Sequence, residues 1–345
     1  MRLVKVENLQ KNMELAKPII QEGTYLLTSG QKNLDSYQDR LEQLGVNYVY
    51  VKDEFSRDVE VNEIIADEVR QEGQKLVSET FEEFAAGEKI DFKSTREYVS
   101  SLVQDIMNSQ EVLVNLIDIK TKDNYTFAHS VNVAVVSLLL GKSLNLNREQ
   151  LEKLGLGAIT HDIGKSNIPE EILKKPGKLT EEEYSIIKEH PRFGYDRLKE
   201  LAKLPSTSLA VVLGHHENYE GNGYPRGVNK NDLHLYPRIV AVADVYDALT
   251  SDRVYRQRWP VSKAVDFIRS KSGEKFDPEI VKHFCRHVTL YPNGIQVRLN
   301  NDKKAVVVKQ NENFPERPVI RLLHDSKEEI DLSQRLNLVI RDEIV

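Results

Sequence analysis

The feature that most constrains the fold of this chain is an adjacent histidine and aspartate, His161 and Asp162, at the end of an apolar helical run. Buried ionisable side chains are costly unless they are paired or bind a metal. A carboxylate can bridge two cations with its two oxygens, and a neutral imidazole can bind one of them. Lys165 follows three residues after Asp162, so a continuing helix would place its ammonium on the same face. Taken alone, the pair also fits a helix end with a capping histidine and a solvated aspartate.

Other ionisable residues of the same region favour the metal-binding interpretation. Four more histidines and a second aspartate lie in or beside apolar helical segments: His129, His190, His215, His216 and Asp244. One such histidine is more often a hydrogen-bonded core residue than a ligand, but packing does not explain the whole set. Imidazoles with two carboxylates suit Fe, Mn, Zn or Ni better than Ca or Mg.

The number of these side chains indicates two ions that share Asp162. Seven ligands are too many for one metal site. Two neighbouring metals activate a bridging hydroxide and bind the attacking and leaving oxygens of a phosphoryl displacement. The region therefore predicts a two-metal phosphohydrolase.

Hydrophobic periodicity divides the chain into four segments. Residues 1–56 predict a small mixed unit, with strands at 3–6, 14–20, 24–27 and 46–51 and a helix at 34–44. Residues 57–120 predict a helical connector with an acidic face. That face is either simply solvated or belongs to a signalling or dimerisation helix.

The two remaining segments are a helical core at 121–289 and a small β module at 290–345. The predicted helices of the core span 126–144, 149–162, 181–189, 193–201, 207–215, 238–250, 261–270 and 278–287. The predicted strands of the β module span 294–299, 304–309 and 319–323. The predicted fold class is mainly α: an all-helical core flanked by small N-terminal α/β and C-terminal β modules.

Composition excludes several classes of protein. The net charge of −6, without any block of consecutive lysines and arginines, argues against a nucleic-acid partner. The longest apolar run, residues 133–140, is far shorter than the roughly 20 residues that span a bilayer. The single cysteine, Cys285, excludes an internal disulfide, and no basic-then-apolar signal pattern begins the sequence. We therefore expect a cytoplasmic protein without a membrane span.

The ordered motifs of residues 121–289 resemble the HD superfamily of metal-dependent phosphohydrolases, and within it the HD-GYP branch. The motifs are His129, the pair His161-Asp162, His190-Pro191, the stretch 215–225, the helix 243–250 with Arg253 and Arg256, and Phe276-Asp277-Pro278. More loosely, residues 13–18 and the C-terminal β module are similar to segments that accompany this domain in some bacterial proteins. The resemblance implies a helical core of the HD type.

The resemblance also implies an activity, a pair of metals and a set of site residues. The activity is hydrolysis of cyclic di-GMP to linear pGpG, and in some members onward to GMP, with two divalent transition-metal ions. Fe or Mn is favoured, and Zn or Ni also fits. One metal would take His129, His161, Asp162 and Asp244, and the other Asp162, His190, His215 and His216. Asp162 and Lys165 are the expected catalytic residues. The expected substrate-binding residues are Lys165, Gly223, Tyr224, Pro225, Arg253 and Arg256.

Three positions depart from the family pattern. Tyr125 stands where members with a third metal have a glutamate, so we predict a dinuclear centre. Glu220 replaces an aspartate and Asn218 a basic residue, which makes the contacts of the Gly-Tyr-Pro loop less secure than the metal site. The partner that the resemblance suggests for this loop is a diguanylate cyclase, and a homodimer stays open.

Several alternatives remain open at this point. The substrate is cyclic di-GMP, another cyclic dinucleotide or a nucleotide. A different class of function is a non-catalytic scaffold that binds cyclic di-GMP or a cyclase. Without the flanking histidines, the Gly-Tyr-Pro loop would be an ordinary turn. Asp247, three residues after Asp244, either hydrogen-bonds a metal-binding histidine or only caps a helix.

Overall fold

A computed structural model describes residues 1–21, 24–61, 64–109, 125–175, 177–251, 258–311, 314–323 and 329–344. These residues form a mixed N-terminal module, a large bundle of helices and a C-terminal β module. The predicted fold class is thereby confirmed.

The N-terminal module is built on a short antiparallel sheet. Its elements are β1 (Arg2–Lys5), β2 (Glu14–Leu15), β3 (Ile19–Gln21), β4 (Thr24–Leu27), α1 (Gln38–Gln43) and β5 (Tyr48–Lys52). Strand β5 lies between β1 and β2, whereas β3 and β4 form a separate hairpin. The predicted continuous strand at 14–20 is therefore wrong. Pro18 interrupts it because proline has no N–H to donate to a sheet.

Two long helices, α2 (Asp67–Ala86) and α3 (Lys93–Asn108), follow the N-terminal module. Helix α2 ends at Gly87, whose φ of 77° is the left-handed conformation common after a helix. The apolar faces of both helices join the core of the helices that follow. The rings of Phe81 and Phe127, for example, meet edge to face at 5.8 Å.

The remaining helices of the bundle include a central apolar helix, α4 (Tyr125–Ser143). The others are α5 (Arg148–Ile159), α6 (Glu170–Leu173), α7 (Glu181–Ile187), α8 (His190–Leu201), α9 (Ser206–Gly214), α10 (Leu235–Thr250), α11 (Val261–Ser270) and α12 (Pro278–His287). Helix α4 packs against α2, α3, α5 and α10, so its side chains between residues 128 and 141 are buried on every side. Among the helices of the described residues, none has both the length and the apolarity that crossing a bilayer requires.

The end of α5 differs from the prediction in a way that shapes the site. The helix ends at Ile159 rather than at residue 162, and the chain turns through His161 and Asp162 into a 3-10 turn over Ile163–Asn167. This turn crosses α8 very closely: a Cβ on Gly164 would lie 2.0 Å from the carbonyl oxygen of His190. Only glycine permits that approach. The crossing brings the histidine–aspartate pair next to His190.

The C-terminal module is a five-stranded antiparallel sheet among the described residues, in the order β10-β6-β7-β8-β9. Its strands are β6 (Gln296–Leu299), β7 (Lys304–Lys309), β8 (Val319–Leu322), β9 (Glu329–Asp331) and β10 (Ile340–Glu343). The first three correspond to predicted strands. The last two were not predicted because they are short and mostly polar.

The N- and C-terminal modules share a small apolar core although they lie at opposite ends of the chain. Leu3 and Tyr50 pack with Ile295 and Val297. The backbone N–H of Leu3 donates to the carbonyl of Gly294 at 2.9 Å. Both modules therefore flank the helical bundle as one packed pair.

Candidate metal centre

Seven side chains that are distant in sequence converge inside the helical bundle. His129 comes from α4, His161 and Asp162 from the turn after α5, His190 from the start of α8, His215 and His216 from the end of α9, and Asp244 from α10. All are buried except His216, which is partly exposed.

The ligand atoms of these side chains form two groups. In each group they lie within 4.8 Å of one another. The first group is Asp162, His190, His215 and His216, and the second is His129, His161 and Asp244. This division follows the two ligand sets that the family resemblance implied. The role of these residues as metal ligands stays a prediction.

Asp162 faces both groups with different oxygens. Its Oδ1 lies 3.2 Å from His190 Nε2 and 3.7 Å from His215 Nε2. Its Oδ2 lies 3.3 Å from His161 Nε2 and 3.8 Å from His129 Nε2. One carboxylate is thus positioned between two sets of imidazole nitrogens, as a bridging ligand requires.

Four of the five imidazoles are held through Nδ1, which leaves Nε2 directed at the centre. His161 Nδ1 lies 2.7 Å from the carbonyl oxygen of Ala158, and His190 Nδ1 lies 2.7 Å from that of Ile187. His215 Nδ1 faces the carbonyl oxygen of Val211 at 3.1 Å. Because a carbonyl only accepts hydrogen bonds, each of these Nδ1 atoms carries the proton and each Nε2 presents a lone pair.

The fourth imidazole is held by Asp247. His129 Nδ1 lies 2.7 Å from Asp247 Oδ2, and His129 Nε2 lies 3.1 Å from Asp244 Oδ1. Of the two roles left open for Asp247, the structure shows the contact with a histidine of the site. Such a carboxylate fixes both the tautomer and the orientation of the ring.

The electrostatic environment favours the protonation states that bind metals. Burial alone would raise the pKa of Asp162, but the nearby His161 and Lys165 hold it well below its usual value. Burial lowers the pKa of His190, and it lowers that of His216 still further. Ionised carboxylates and neutral imidazoles are the forms that coordinate a cation.

His129 behaves differently from the other imidazoles. Burial would lower its pKa, but hydrogen bonds with Asp244 and Asp247 outweigh burial and raise it. The two carboxylates therefore attract positive charge to the His129 ring.

The donor set fits bound cations. His161 Nε2 and Asp162 Oδ1 are buried and have no hydrogen-bond partner among the described residues. The Nε2 atoms of His190 and His215 face each other at 3.3 Å although both carry lone pairs. Two facing lone pairs repel unless a cation lies next to them. This arrangement of side chains is therefore more favourable with a bound metal ion than without one. Imidazole nitrogens with carboxylate oxygens favour transition metals.

Lys165 lies next to the centre, although the helix that was expected to place it there is absent. Its Nζ is 2.5 Å from Asp162 Oδ2, and its side chain is 30% exposed. The 3-10 turn brings the ammonium to the carboxylate in place of a continuing helix. A cation that is partly exposed beside a buried carboxylate can meet an anionic ligand that enters from solvent.

The Gly-Tyr-Pro loop packs directly on the centre. The Tyr224 ring stacks on the His216 ring, with 4.6 Å between centroids. A Cβ on Gly223 would lie 2.5 Å from the carbonyl oxygen of His216, so a side chain there would displace the loop. Burial raises the pKa of Tyr224, which keeps its phenol protonated and able to donate a hydrogen bond. Pro225 follows through a cis peptide bond.

Glu217 organises the same loop and was not singled out from the sequence. Its buried carboxylate accepts hydrogen bonds from the backbone N–H of Arg226 at 2.8 Å and of Val228 at 3.2 Å. The only available signal was a charged residue directly after the histidine pair. Arg253 and Arg256, the two predicted phosphate-binding arginines, lie outside the described residues.

Comparison with protein families identifies two parts of the chain. Residues 111–280 match the family model described as an HD domain. Residues 296–344 match a model described as a KOW domain associated with the HD domain. Residues 111–280 are therefore an HD domain, which confirms the class predicted from their motifs.

Two curated relatives carry names of enzymes. The chain is 32% identical over 256 residues to the cyclic di-GMP phosphodiesterase PA4108 of Pseudomonas aeruginosa. The aligned region covers 74% of this chain and 62% of that protein. The chain is also 36% identical over 176 residues to the 3'3'-cGAMP-specific phosphodiesterase 3 of Vibrio cholerae. That aligned region covers 51% of this chain and 38% of that protein. The chain thus spans less than two thirds of the length of either relative.

A solved structure shares the fold. Bd1817, a HDG"Y"P protein from Bdellovibrio bacteriovorus, aligns with a TM-score of 0.56 over 82% of this chain and 97% of that one, at 18% identity. The alignment extends beyond the helical bundle.

Proposed function

We propose that this chain is a phosphodiesterase that opens cyclic di-GMP to linear pGpG, with GMP as a further product to be tested, at a centre of two divalent metal ions. The observation that carries the proposal is the position of Asp162, whose two oxygens face two separate groups of histidines. The HD domain at residues 111–280 and the names of the curated relatives agree with it.

The metals are proposed to be Fe or Mn, with Zn or Ni as alternatives. Imidazole nitrogens with carboxylate oxygens suit such transition metals better than Ca or Mg. His129, His161, Asp162 and Asp244 would hold one ion, and Asp162, His190, His215 and His216 the other. Bound ions of this kind lower the pKa of an attacking water and offset the charge of the phosphodiester. Position 125 carries no carboxylate, so we propose two ions rather than three.

The residues around the centre would bind and orient the substrate. The Lys165 ammonium is a fixed positive charge beside Asp162, suited to a phosphate oxygen. Tyr224 offers a ring face next to His216 for a purine and a phenol that can donate a hydrogen bond. The close backbone approach at Gly223 keeps the loop packed against His216.

Replacing Lys165 by methionine should lower kcat/KM for cyclic di-GMP by about 10²–10³-fold, the usual cost of losing one charge-stabilising donor. Metal content should not change, because a lysine ammonium is a donor without a lone pair for a metal. The matched control is Lys174→Met, which removes an exposed lysine that pairs with Glu170. Wild-type kcat/KM in Lys165→Met would contradict the proposed role.

The direct test of the function combines metal analysis with product identification. Protein purified without oxygen should contain two metal ions per chain and should convert cyclic di-GMP to pGpG. Three tightly bound ions per chain would refute the dinuclear centre. Equal rates on mononucleotides would refute the cyclic dinucleotide as substrate.

The second candidate substrate is 3'3'-cGAMP, because one relative is named for it. It differs from cyclic di-GMP in one purine, so both would use the same phosphate contacts. Parallel turnover measurements with the two dinucleotides distinguish them. A non-catalytic scaffold is disfavoured because all seven candidate ligands converge, whereas a scaffold has no need of them.

A further inference from the structure

A buried arginine of the connector lies close to the metal centre. Arg70 belongs to the first turn of α2 and is only 6% exposed, although its guanidinium is always charged. Its Nη1 donates a hydrogen bond to Asn132 Oδ1 at 2.6 Å. A buried charge is costly, so this contact calls for a role beyond the packing of α2.

Asn132 links the arginine to a carboxylate. It lies on α4, one turn after His129, and its Nδ2 donates to Asp247 Oδ1 at 2.8 Å. A guanidinium can only donate and a carboxylate can only accept, whereas an amide does both. Asn132 is fully buried, so its orientation is set by these two partners.

Asp247 completes the connection to the centre. Its Oδ1 accepts from Asn132, and its Oδ2 lies 2.7 Å from His129 Nδ1. A continuous series of hydrogen bonds therefore runs from Arg70 through Asn132 and Asp247 to the His129 imidazole.

The same turn of α2 also contacts the N-terminal module. Asp67 begins α2, one turn before Arg70, and its Oδ2 lies 3.8 Å from Lys17 Nζ. Lys17 lies between β2 and β3 and is 9% exposed. The first turn of α2 is thus held by the N-terminal module on one side and by the hydrogen bonds to His129 on the other.

We infer that Arg70, in the first turn of α2, is a positioning residue of the metal centre. This inference rests on the proposed metal centre and deepens it by naming a residue that orients one of its candidate ligands. Arg70 touches neither substrate nor metal. It orients Asp247, which fixes the tautomer and direction of the His129 ring.

The test is a titration of the metal-free chain of 345 residues with Mn²⁺. Isothermal titration calorimetry measures the affinity of each Mn²⁺ equivalent. Loss of an outer hydrogen-bond partner typically lowers metal affinity 10–100-fold. Because Arg70 acts through two intervening side chains, Arg70→Met should weaken one of the two Mn²⁺ equivalents by about tenfold and leave the other within about twofold. Arg70→Lys, which keeps the charge, should restore part of the loss.

Two further variants guard against a merely structural effect. Arg70→Met combined with Asn132→Leu replaces both partners of that hydrogen bond with apolar side chains. Asp247 then loses its bond from Asn132 but keeps its contacts with His129 and Ser251. The double variant should fold and should still lose affinity at one equivalent only. The control is Thr80→Ala, a buried position of α2 whose hydroxyl bonds only to the carbonyl of Leu76 among the described contacts. It should leave both affinities unchanged.

The outcomes separate this inference from the proposed function. Equal weakening of both equivalents, or the same loss in Thr80→Ala at matched thermal stability, would show that α2 acts only by stabilising the fold. Unchanged affinities in Arg70→Met would refute the inference while the metal centre stands. Wild-type protein that binds none of Mn²⁺, Fe²⁺, Zn²⁺ and Ni²⁺ would refute both.

Discussion

Asp162→Asn is expected to remove both metal ions and to lower kcat/KM for cyclic di-GMP by about 10³-fold or more, since metals supply several kcal/mol of transition-state stabilisation. The variant keeps the shape of the side chain but loses its charge. It would also place an amide N–H next to a histidine nitrogen on one side. Imidazoles from both groups lie within 4 Å of this carboxylate, so one substitution affects both sites.

The measurement is metal content and turnover of the same preparation. Asp277→Asn is the matched control, because Asp277 is also a buried aspartate but is not one of the seven candidate ligands. It accepts a hydrogen bond of 2.6 Å from Arg238 Nη1. The Asp277→Asn variant should lose stability but retain both ions. If turnover is indifferent to Asp162→Asn, the observed activity belongs to a contaminating enzyme and the assignment fails.

Local signals were sufficient to predict much of the helical bundle. The bounds of α11 and α12 agree with the predicted helices at 261–270 and 278–287. Asp277 caps α12 by accepting the N–H of Glu279 at 2.9 Å, and Pro278 occupies its first position. Caps and prolines act within one turn of the chain, so the sequence displays them directly.

The end of α5 depends on a contact that no local pattern displays. Helix α5 stops where the turn around Gly164 crosses α8. That crossing involves residues from a distant part of the chain, so periodicity alone extends the helix too far. The predicted strand at 14–20 is a different case. Pro18 is a local signal against a continuous strand, but the strand-like composition of the segment outweighed it in the prediction.

The candidate ligands could be found because ionisable residues in apolar runs are rare. Arg70 and Asn132 carried no comparable signal. Arg70 lies on a helix rich in acidic residues, where an arginine is ordinarily solvated. Its partner is 62 positions away, so only the packing of α2 on α4 reveals the pair.

Glu343→Ala is expected to lower the free energy of unfolding by about 3–5 kcal/mol, because it leaves a buried arginine without its carboxylate. Glu343 lies on β10, and its Oε1 is 2.6 Å from Arg258 Nη2, with the two side chains 2% and 5% exposed. Its Oε2 also accepts the N–H of Val261 at the start of α11. The C-terminal strand thereby holds the chain directly after residues 252–257, which include Arg253 and Arg256.

The neighbouring residue supplies the control for urea unfolding of the full chain. Asp342 pairs with Arg298 at 3.7 Å, but both side chains are more than 40% exposed. Asp342→Ala should therefore cost less than about 1 kcal/mol. Arg258→Met combined with Glu343→Leu should cost less than Glu343→Ala, since it replaces both charges of the buried pair rather than one of them. Equal losses of unfolding free energy in Glu343→Ala and Asp342→Ala would mean that β10 does not anchor the segment after α10. Removing a carboxylate from a buried ion pair should cost more than removing one from an exposed pair.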